Sequence, residues 1–336
     1  MPETATAVRQ VRRPEGAPRP EDFELVEVEI PALEAGQVLV RNLFLSVDPY
    51  HRELMDSEGW RKGFGLEGGS LGRVVASREP LLPRGTIVHH RHGWSSHAVL
   101  TAGEVREIER AAGVPLSTYL GLLGGTGLTA YVGLQRIARL LPGEDVFISG
   151  AAGAVGSAAG QIARILGARR IVGSAGSPAK IKHLTDRLGF DAAFDYHDGI
   201  AGQLTRALPR GIDVYFDNVG GDHLEAAIGA LRRFGRIAWC GAVAQYNNPE
   251  EPPPAPRNLY DVVGKSLRME GFQVGNHLDA REELGALLIP RIQAGDVQVD
   301  ETVTEGIEHT VDAFLGMLRG ENIGKAVVQL ADGVGD

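Results

Sequence analysis

The sequence predicts an α/β protein in which a doubly wound parallel sheet is inserted into a β-rich, barrel-like domain. Short runs of alternating apolar and polar residues fill the first 120 residues, and short strand-like runs return after residue 297. Between them, strand-length apolar runs alternate with helical periodicity, which is typical of a parallel sheet covered by helices. We therefore expect a β-rich domain at residues 1–122 and 297–336 and an α/β domain at residues 123–296.

The β-rich part begins with a segment that has little regular pattern. Residues 1–20 are charged and contain several prolines, so we interpret them as a loosely held arm. Period-two alternation and flanking turn residues then predict strands at 23–30, 37–46, 69–77, 86–90 and 95–100. After the α/β part, a helix is predicted at 308–319 and a final strand at 325–330.

The α/β part alternates predicted strands and helices. Strands are predicted at 146–148, 170–174, 193–196, 212–218, 235–241 and 266–274. Helices are predicted at 154–167, 199–208, 221–232, 259–263 and 280–294. The proline-rich segment at 249–256 interrupts this order and is interpreted as a surface loop.

A glycine-rich turn follows the first apolar run of the α/β part. Gly150, Gly153 and Gly156 allow a sharp turn that brings backbone N–H groups to a pyrophosphate at a helix N-terminus, and Gly160 allows close packing of that helix. The spacing Gly-x-x-Gly-x-x-Gly differs from the usual Gly-x-Gly-x-x-Gly, and an ordinary strand-to-helix turn is the alternative. A second strand at 170–174 completes a βαβ unit of the expected size, which favours a dinucleotide site.

The end of that second strand indicates which dinucleotide is bound. An NAD site usually places an acidic residue there, but no acid occurs between residue 173 and Asp186. The segment instead offers the hydroxyl of Ser174 and the ammonium group of Lys180, which attract a 2′-phosphate. Lys182 is interpreted as part of a solvated helix face. The sequence therefore favours NADPH over NADH.

Composition excludes several classes of protein. The chain has 336 residues, 43% of them hydrophobic, but no apolar run as long as the ~18 residues of a membrane span. Its first 25 residues do not resemble a signal peptide, so we expect a soluble, cytoplasmic protein. Cys240 is the one cysteine, which excludes an internal disulfide and a multi-cysteine zinc site. A net charge of −9 without a basic run makes nucleic acid an unexpected partner.

Six short motifs in a fixed order resemble one known family. They are Asp-Pro-Tyr at 48–50, Thr-Gly-Leu-Thr-Ala-Tyr at 126–131, Ala-Ala-Gly-Ala-Val-Gly at 151–156, Phe-Asp-Asn-Val-Gly-Gly at 216–221, Tyr-Asn at 246–247 and Gly-Glu-Asn-Ile-Gly-Lys at 320–325. Together they resemble the zinc-free medium-chain dehydrogenase/reductases, in particular the prostaglandin/leukotriene reductase and plant alkenal double-bond reductase branch. The resemblance implies a Rossmann domain inserted into a GroES-like domain, and NADPH as cofactor.

A catalytic zinc is not expected. Zinc-dependent members of the superfamily carry a Gly-His-Glu motif, whereas the comparable stretch here, Gly-Leu-Glu-Gly-Gly-Ser-Leu-Gly at 65–72, has no histidine. Hydride addition to an activated C=C bond needs no metal, while alcohol oxidation would lose its Lewis acid. The rival metal site is a histidine cluster formed by His89, His90, His92 and His97, for which a solvated strand edge is the alternative interpretation.

The resemblance also implies roles for individual residues. Tyr246 and Tyr50 would act in catalysis, and Asp48, Tyr50 and His51 would line the substrate, although His51 stands where many relatives carry methionine. The residues that would bind the cofactor are Thr129, Gly153, Ala154, Val155, Gly156, Ser174, Lys180, Tyr196, Asn218, Cys240, Tyr246, Phe272, Val274 and Asn322. Simpler interpretations remain: Asp48 belongs to a turn, Tyr246 ends a strand, and Cys240 is a small core residue.

These observations predict an NADPH-dependent reductase of α,β-unsaturated ketones or aldehydes. Hydride would pass to the β-carbon, and the α-carbon would take a proton from Tyr246, a ribose hydroxyl relay or water. A quinone reductase of the same superfamily and a non-catalytic NADPH-binding protein remain alternatives. A homodimer is expected from the family and from an edge strand near residues 266–274.

Overall fold

The computed structural model describes residues 4–57, 66–247 and 253–330. These residues form two compact units. The first, here called the β-rich unit, contains the chain up to Gly121 and from Glu301 onward, and the second, the parallel-sheet unit, spans Leu122–Asp300. The domain limits at residues 122 and 297 stay a prediction. Residue 65 of the glycine-rich stretch and part of the proline-rich segment lie outside the described residues.

The elements follow one another in the predicted order. The β-rich unit begins with β1 (Thr4–Gln10), β2 (Phe23–Glu29), β3 (Gln37–Val47), α1 (His51–Leu54), β4 (Ser70–Ser77), β5 (Ile87–His90), β6 (His97–Thr101) and β7 (Arg106–Glu107). The parallel-sheet unit contains α2 (Gly125–Val132), β8 (Asp145–Ile148), α3 (Ala154–Ile165), β9 (Arg170–Ala175), α4 (Pro178–Asp186), β10 (Ala192–Asp195), α5 (Ile200–Ala207), β11 (Ile212–Asp217), α6 (Gly221–Ala230), β12 (Leu231–Trp239), α7 (Tyr260–Gly264), β13 (Arg268–Gly271) and α8 (Arg281–Ala294). The chain then returns to the β-rich unit with β14 (Glu301–Glu305), α9 (Thr310–Leu318) and β15 (Lys325–Gln329).

The parallel-sheet unit has the predicted doubly wound topology. Its strands lie in the order β10-β9-β8-β11-β12-β13, and every neighbouring pair is parallel. The strand order reverses at β8, which has β9 on one side and β11 on the other. In such sheets, ligands bind beyond the carboxyl ends of the strands at this switch point. The predicted fold class is confirmed.

Both faces of this sheet are covered, which explains the continuous apolar runs of its strands. Val146 and Ile148 of β8 pack in one core cluster with residues of α2, α3 and α8, whereas Phe147 between them packs in another cluster with residues of α5 and α6. All three side chains are fully buried. The alternation of side chains along a strand therefore places two helical layers on opposite faces.

Glycines allow a close contact between α3 and β9. A Cβ atom at Gly160 of α3 would lie 2.2 Å from the ring of Phe190, and one at Gly173 of β9 would lie 3.0 Å from the same ring. Phe190 is itself buried. The space at Gly160 is therefore filled by an aromatic ring from the loop before β10, a contact that the sequence alone did not indicate.

The β-rich unit contains a mixed sheet and a separate two-stranded ribbon. The sheet has the order β14-β15-β3-β4-β5-β7, with β6 also paired to β3, and only the β14–β15 pair is parallel. Trp94, Phe314 and Phe23 lie together in its apolar core, with the Trp94 and Phe314 ring centroids 5.4 Å apart.

The prediction of a loose N-terminal arm is wrong for residues 4–10. These residues form β1, which pairs antiparallel with β2 from Thr4 opposite Glu29 to Gln10 opposite Phe23. Ala5, Ala7 and Val8 are buried. Small alanines give a weak hydrophobic signal in a sequence, and only the partner strand β2 shows why this segment is ordered.

Two further boundaries differ from prediction. The strand expected at 266–274 is shorter, because β13 ends at Gly271 and a 3-10 helical turn follows at Val274–Ala280. The limits of helix α4 were not predicted, although Ser177 accepts a hydrogen bond from the Lys180 N–H group and Pro178 occupies the first turn. Strand β13 does lie at an edge of the sheet, and the homodimer stays a prediction. No helix within the described residues is long and apolar enough to cross a membrane.

His90 is a buried polar residue in the sheet of the β-rich unit. Its Nε2 atom lies 2.8 Å from Oδ1 of Asn42, and its Nδ1 atom accepts a hydrogen bond from the His92 N–H group at 3.2 Å. This arrangement suits a neutral ring that donates from Nε2. Burial, together with the neighbouring His89 and His92, lowers the pKa of His90 to about 3.

The low pKa of His90 predicts a loss of stability in acid. Between pH 6.5 and pH 3 the unfolded chain takes up a proton that the folded chain does not, so the free energy of unfolding falls as the pH falls. One such histidine accounts for about 1.4 kcal/mol between pH 7.5 and 5.5. We expect His90→Gln to reduce the difference in unfolding free energy between these pH values by about that amount, measured by chemical denaturation. An unchanged difference would contradict the assignment of His90 as a neutral buried group.

Candidate functional site

The turn between β8 and α3 forms an open helix N-terminus at the switch point. Gly150 has a positive φ of 56°, and Gly153 precedes the first residue of α3. Gly153, Ala154 and Val155 remain partly accessible to solvent. The first N–H groups of a helix have no partner within the helix, so the first turn of α3 can donate to a phosphate group.

Gly156 is required by close packing inside this turn. A Cβ atom at this position would lie 2.4 Å from the carbonyl oxygen of Gly150 and 2.6 Å from the Cα atom of Ala151. Both are backbone atoms that cannot move without deforming the turn. Gly156 is buried, so its contribution to the turn is to let the helix approach the preceding strand.

A buried polar network holds the end of β11 against the end of β8. The carboxylate of Asp217 accepts hydrogen bonds from the Tyr215 hydroxyl at 2.7 Å, from the Ser149 hydroxyl at 3.2 Å, and from the Val219 and Gly220 N–H groups. Burial raises the pKa of Asp217, and these hydrogen bonds oppose that rise. The network was missed from the sequence, although Asp217 belongs to a motif that carried the family resemblance.

Asn218 and Cys240, both predicted to bind the cofactor, extend this network. The Asn218 amide donates to the carbonyl oxygen of Ser149 at 2.7 Å, and its Oδ1 atom accepts from the Cys240 thiol at 3.0 Å. Burial and the charge of Asp217 raise the pKa of Cys240. The thiol is therefore protonated and is not a nucleophile.

The residues predicted to recognise a 2′-phosphate lie at the end of β9, in α4 and after β10. Ser174 is fully buried, and its hydroxyl lies 3.0 Å from Nε2 of His223. Lys180 lies in the first turn of α4, where partial burial lowers its pKa, and Tyr196 follows β10 with 40% of its surface exposed. Lys182 is exposed and forms an ion pair with Asp186, as expected for a solvated helix face.

The remaining cofactor-site predictions in the parallel-sheet unit are partly accessible side chains. Thr129 donates to the Gly125 carbonyl oxygen at 2.8 Å, and Phe272 and Val274 are half-buried beyond the end of β13. The Tyr246 hydroxyl accepts a hydrogen bond from the Ala242 N–H group at 3.4 Å and thus lies over the turn that follows β12. The functional roles of these residues stay predictions.

In the β-rich unit, the partly buried Asp48 forms an ion pair with the buried Lys325. Lys325 Nζ donates to Oδ1 of Asp48 at 2.7 Å and to the Val47 carbonyl oxygen at 2.7 Å, and Ser46 also hydrogen bonds the carboxylate. Burial alone would raise the pKa of Asp48, but the Lys325 charge and these hydrogen bonds lower it below its ordinary value. Asp48 is therefore ionised and already paired. Lys325 was missed as its partner, although it ends one of the six motifs.

Tyr50 and His51 follow Asp48 and differ in accessibility. The Tyr50 hydroxyl accepts a hydrogen bond from Arg91 at 3.2 Å, and burial raises the pKa of Tyr50. His51 is fully buried, with its ring 4.4 Å from that of Tyr50 and 5.2 Å from that of Trp94. Burial lowers the pKa of His51 to about 3. Contact of His51 with substrate stays a prediction.

Arg91 was missed from the sequence, because its neighbour Tyr50 lies 41 residues away along the chain. Besides its hydrogen bond to Tyr50, Arg91 forms an ion pair with Glu67. Asn322, a predicted cofactor residue, lies before β15 and donates to the Gly324 carbonyl oxygen at 2.8 Å. Its predicted role is untested.

Three of the four histidines of the rival metal site, His90, His92 and His97, contact different residues. His90 contacts Asn42, His92 lies 3.1 Å from Glu104, and the His97 ring lies 3.0 Å from the Ser96 hydroxyl. Within residues 4–57, 66–247 and 253–330, no group of three or more His, Cys, Asp or Glu side chains is arranged to hold a metal ion.

Comparisons with known proteins agree with this architecture. Residues 7–108 match a family described as the N-terminal domain of oxidoreductase, and residues 154–292 match a family described as zinc-binding dehydrogenase. Prostaglandin reductase 1 of Mus musculus is 44% identical over 320 residues, covering 94% of this chain and 96% of its own. The 2-alkenal reductase (NADP(+)-dependent) of Nicotiana tabacum is 37% identical over 328 residues, covering 94% of each chain.

A solved structure extends the likeness to the whole described fold. The crystal structure of CurA in complex with NADPH from Vibrio vulnificus has a TM-score of 0.89 and 33% sequence identity, covering 98% of this chain and 100% of that one. Sequence and structure thus agree over nearly the full length of the chain. It belongs to the medium-chain dehydrogenase/reductase family, in the zinc-free branch that contains the prostaglandin and alkenal reductases.

Proposed function

We propose that this protein is an NADPH-dependent reductase of the C=C bond of α,β-unsaturated ketones or aldehydes. The observation that carries the cofactor assignment is the combination of an open α3 N-terminus with a β9 end that has no acidic residue and is followed by Lys180. The substrate class is supported by relatives whose names describe prostaglandin and alkenal reductases. The chain is an NADP-dependent oxidoreductase, and the enone class is the finer proposal.

The residues of the parallel-sheet unit fit a phosphorylated dinucleotide. The absence of a side chain at Gly156 lets α3 begin close to the backbone of Gly150 and Ala151. The N–H group of Gly153 donates to the Gly150 carbonyl oxygen at 3.1 Å, and the N–H groups of Ala154 and Val155 in the first helical turn can face a pyrophosphate. Lys180 supplies a positive charge, and Tyr196 supplies an exposed hydroxyl, both suited to a 2′-phosphate. A carboxylate at the end of β9 would repel that phosphate, and the sequence has none there.

When bound, the dinucleotide supplies a hydride to the β-carbon of the substrate. The protein then has to stabilise the negative charge that develops on the carbonyl oxygen, an interaction that strengthens in the transition state. We assign this role to the hydroxyl of Tyr246, which can donate a hydrogen bond while its oxygen accepts from Ala242. The proton for the α-carbon comes from Tyr246, a ribose hydroxyl relay or water.

Tyr50 is assigned to the substrate side in the β-rich unit. The hydrogen bond from Arg91 uses the acceptor side of its hydroxyl, which leaves the O–H group as a donor. A tyrosine keeps this proton at neutral pH, and burial raises the pKa of Tyr50 further. Asp48 acts through its ion pair with Lys325, which anchors the turn that carries Tyr50.

Substrate screening tests the proposed reaction. We expect NADPH to be oxidised in the presence of α,β-unsaturated ketones or aldehydes, with the saturated carbonyl compound as product, followed by NADPH fluorescence and product analysis. The same panel should contain quinones. Turnover of quinones without turnover of enones would instead identify a quinone reductase, and NADPH binding without any turnover would identify a binding protein.

Replacement of Lys180 tests the cofactor assignment. Loss of a charge-assisted contact with a phosphate costs about 1.5–3 kcal/mol, so Lys180→Ala should weaken NADPH binding by about tenfold or more and leave NADH binding unchanged. Fluorescence titration with both dinucleotides measures the two dissociation constants. Lys182→Ala is the matched control, because Lys182 is exposed and paired with Asp186. An equal loss for NADPH and NADH would refute the phosphate contact.

Replacement of Tyr246 tests the catalytic assignment. Removal of one donor to the developing oxyanion lowers turnover by about a hundredfold, so Tyr246→Phe should lower kcat strongly and NADPH affinity little. Tyr260→Phe is the matched control, because Tyr260 is 81% exposed. Steady-state kinetics on a good enone, combined with NADPH titration, separates the two effects. Unchanged kcat in Tyr246→Phe would remove Tyr246 from the mechanism.

A further inference from the structure

His223 is a buried histidine in the first turn of α6 that the predicted cofactor site does not include. Only 5% of its surface is exposed. Its Nε2 atom lies 3.0 Å from the Ser174 hydroxyl, and its ring centroid lies 5.4 Å from that of Tyr196 at an interplanar angle of 66°. His223 therefore links the end of β9 to the tyrosine that follows β10.

Tyr196 is confined from a second side by Gly176. A Cβ atom at Gly176 would lie 2.9 Å from the Tyr196 hydroxyl oxygen and 3.0 Å from Cε1 of its ring. The phenol thus lies directly against the backbone after β9, in a space that only glycine leaves open. With the imidazole of His223 against its ring, Tyr196 is supported by two elements while 40% of its surface stays exposed.

Charge does not explain the position of His223. Burial lowers the pKa of His223 to about 4, although the neighbouring Asp222 opposes this shift. The imidazole is therefore neutral at physiological pH and does not supply a positive charge to a phosphate. Its effect on a ligand has to pass through the residues that it contacts, namely Ser174 and Tyr196.

We propose that His223 is a positioning residue that sets Tyr196 for contact with the 2′-phosphate of NADPH, and so contributes to the preference for NADPH over NADH. This inference rests on the proposed function, in which Tyr196 and Lys180 recognise the phosphate. A partly exposed tyrosine without support samples several rotamers, and ordering it on binding lowers affinity. Because the His223 ring already restricts the rotamers of Tyr196 in the free protein, ligand binding does not incur this loss of side-chain entropy.

The contact between the His223 and Tyr196 rings has the geometry of an edge-to-face aromatic pair, and we expect an interaction energy typical of such pairs. Edge-to-face ring pairs contribute about 0.5–1.5 kcal/mol beyond their buried area, which corresponds to a change of about two- to tenfold in a dissociation constant. NADH lacks the 2′-phosphate, so its binding does not depend on the position of the Tyr196 hydroxyl. The ratio of the two dissociation constants therefore reports on this contact, whereas a general loss of structure would weaken both ligands.

The test compares NADPH and NADH binding in single and double variants. We expect His223→Ala to raise the dissociation constant of NADPH by about two- to tenfold and that of NADH by less than about twofold. His223→Gln, which keeps a polar group near Ser174 but lacks the ring, should show the same selectivity loss. Ile228→Val is the control, since Ile228 is a buried residue of the same helix. It should leave the ratio unchanged.

A double-mutant cycle shows whether His223 acts through Tyr196. In a Tyr196→Leu background, His223→Ala should no longer change the NADPH to NADH ratio. The inference is overturned if the loss persists in that background, or if His223→Ala and His223→Gln weaken both dinucleotides equally. If His223→Ala does not fold, His223→Gln decides by the same ratios. A wild-type protein without preference for NADPH would overturn the proposed function itself, and with it this inference.

Discussion

The steric limit at the turn between β8 and α3 is the constraint on which the proposed cofactor site depends. No side chain fits at Gly156, because a Cβ atom there would come within 2.4 Å of the Gly150 carbonyl oxygen. Gly150 in turn adopts a positive φ that disfavours other residues. The result is a tight turn in which the start of α3 lies close to the backbone of Gly150 and Ala151. A backbone surface of N–H groups binds phosphate without requiring charged residues in the turn.

This turn is held in place by buried polar groups rather than by apolar packing alone. Asp217 is fully buried and collects hydrogen bonds from Tyr215, Ser149 and two backbone N–H groups. A buried carboxylate is costly unless such donors surround it, so the network specifies one arrangement of the two strand ends. The same groups hold Asn218 beside the turn through the Ser149 hydroxyl and carbonyl oxygen. The position of the turn between β8 and α3 thus depends on contacts between residues far apart in sequence.

Structural features that depend on local sequence pattern could be predicted from the sequence. Features that depend on contacts between residues far apart in the chain could not. Apolar runs such as that of β8 and the glycines after it predicted the parallel sheet and the tight turn before α3, because strand burial and backbone approach act over a few residues. The sequence did not indicate that residues 4–10 form the ordered strand β1, because the alanines of this segment become buried only when it pairs with β2. His223 was missed for a similar reason, since its partner Ser174 lies 49 residues earlier in the chain.

The ion pair between Asp48 and Lys325 shows the same dependence on distant contacts. Asp48 was predicted to line the substrate, yet its carboxylate is occupied by an ammonium group 277 residues further along the chain. A buried ion pair contributes little net stability, because the loss of hydration offsets the attraction between the charges. Such a pair does fix geometry, since moving either partner away leaves an uncompensated buried charge. The role of the pair is therefore to orient the turn at residues 48–50. It connects this turn to β15 and so holds Tyr50 in a constant position relative to the sheet of the β-rich unit.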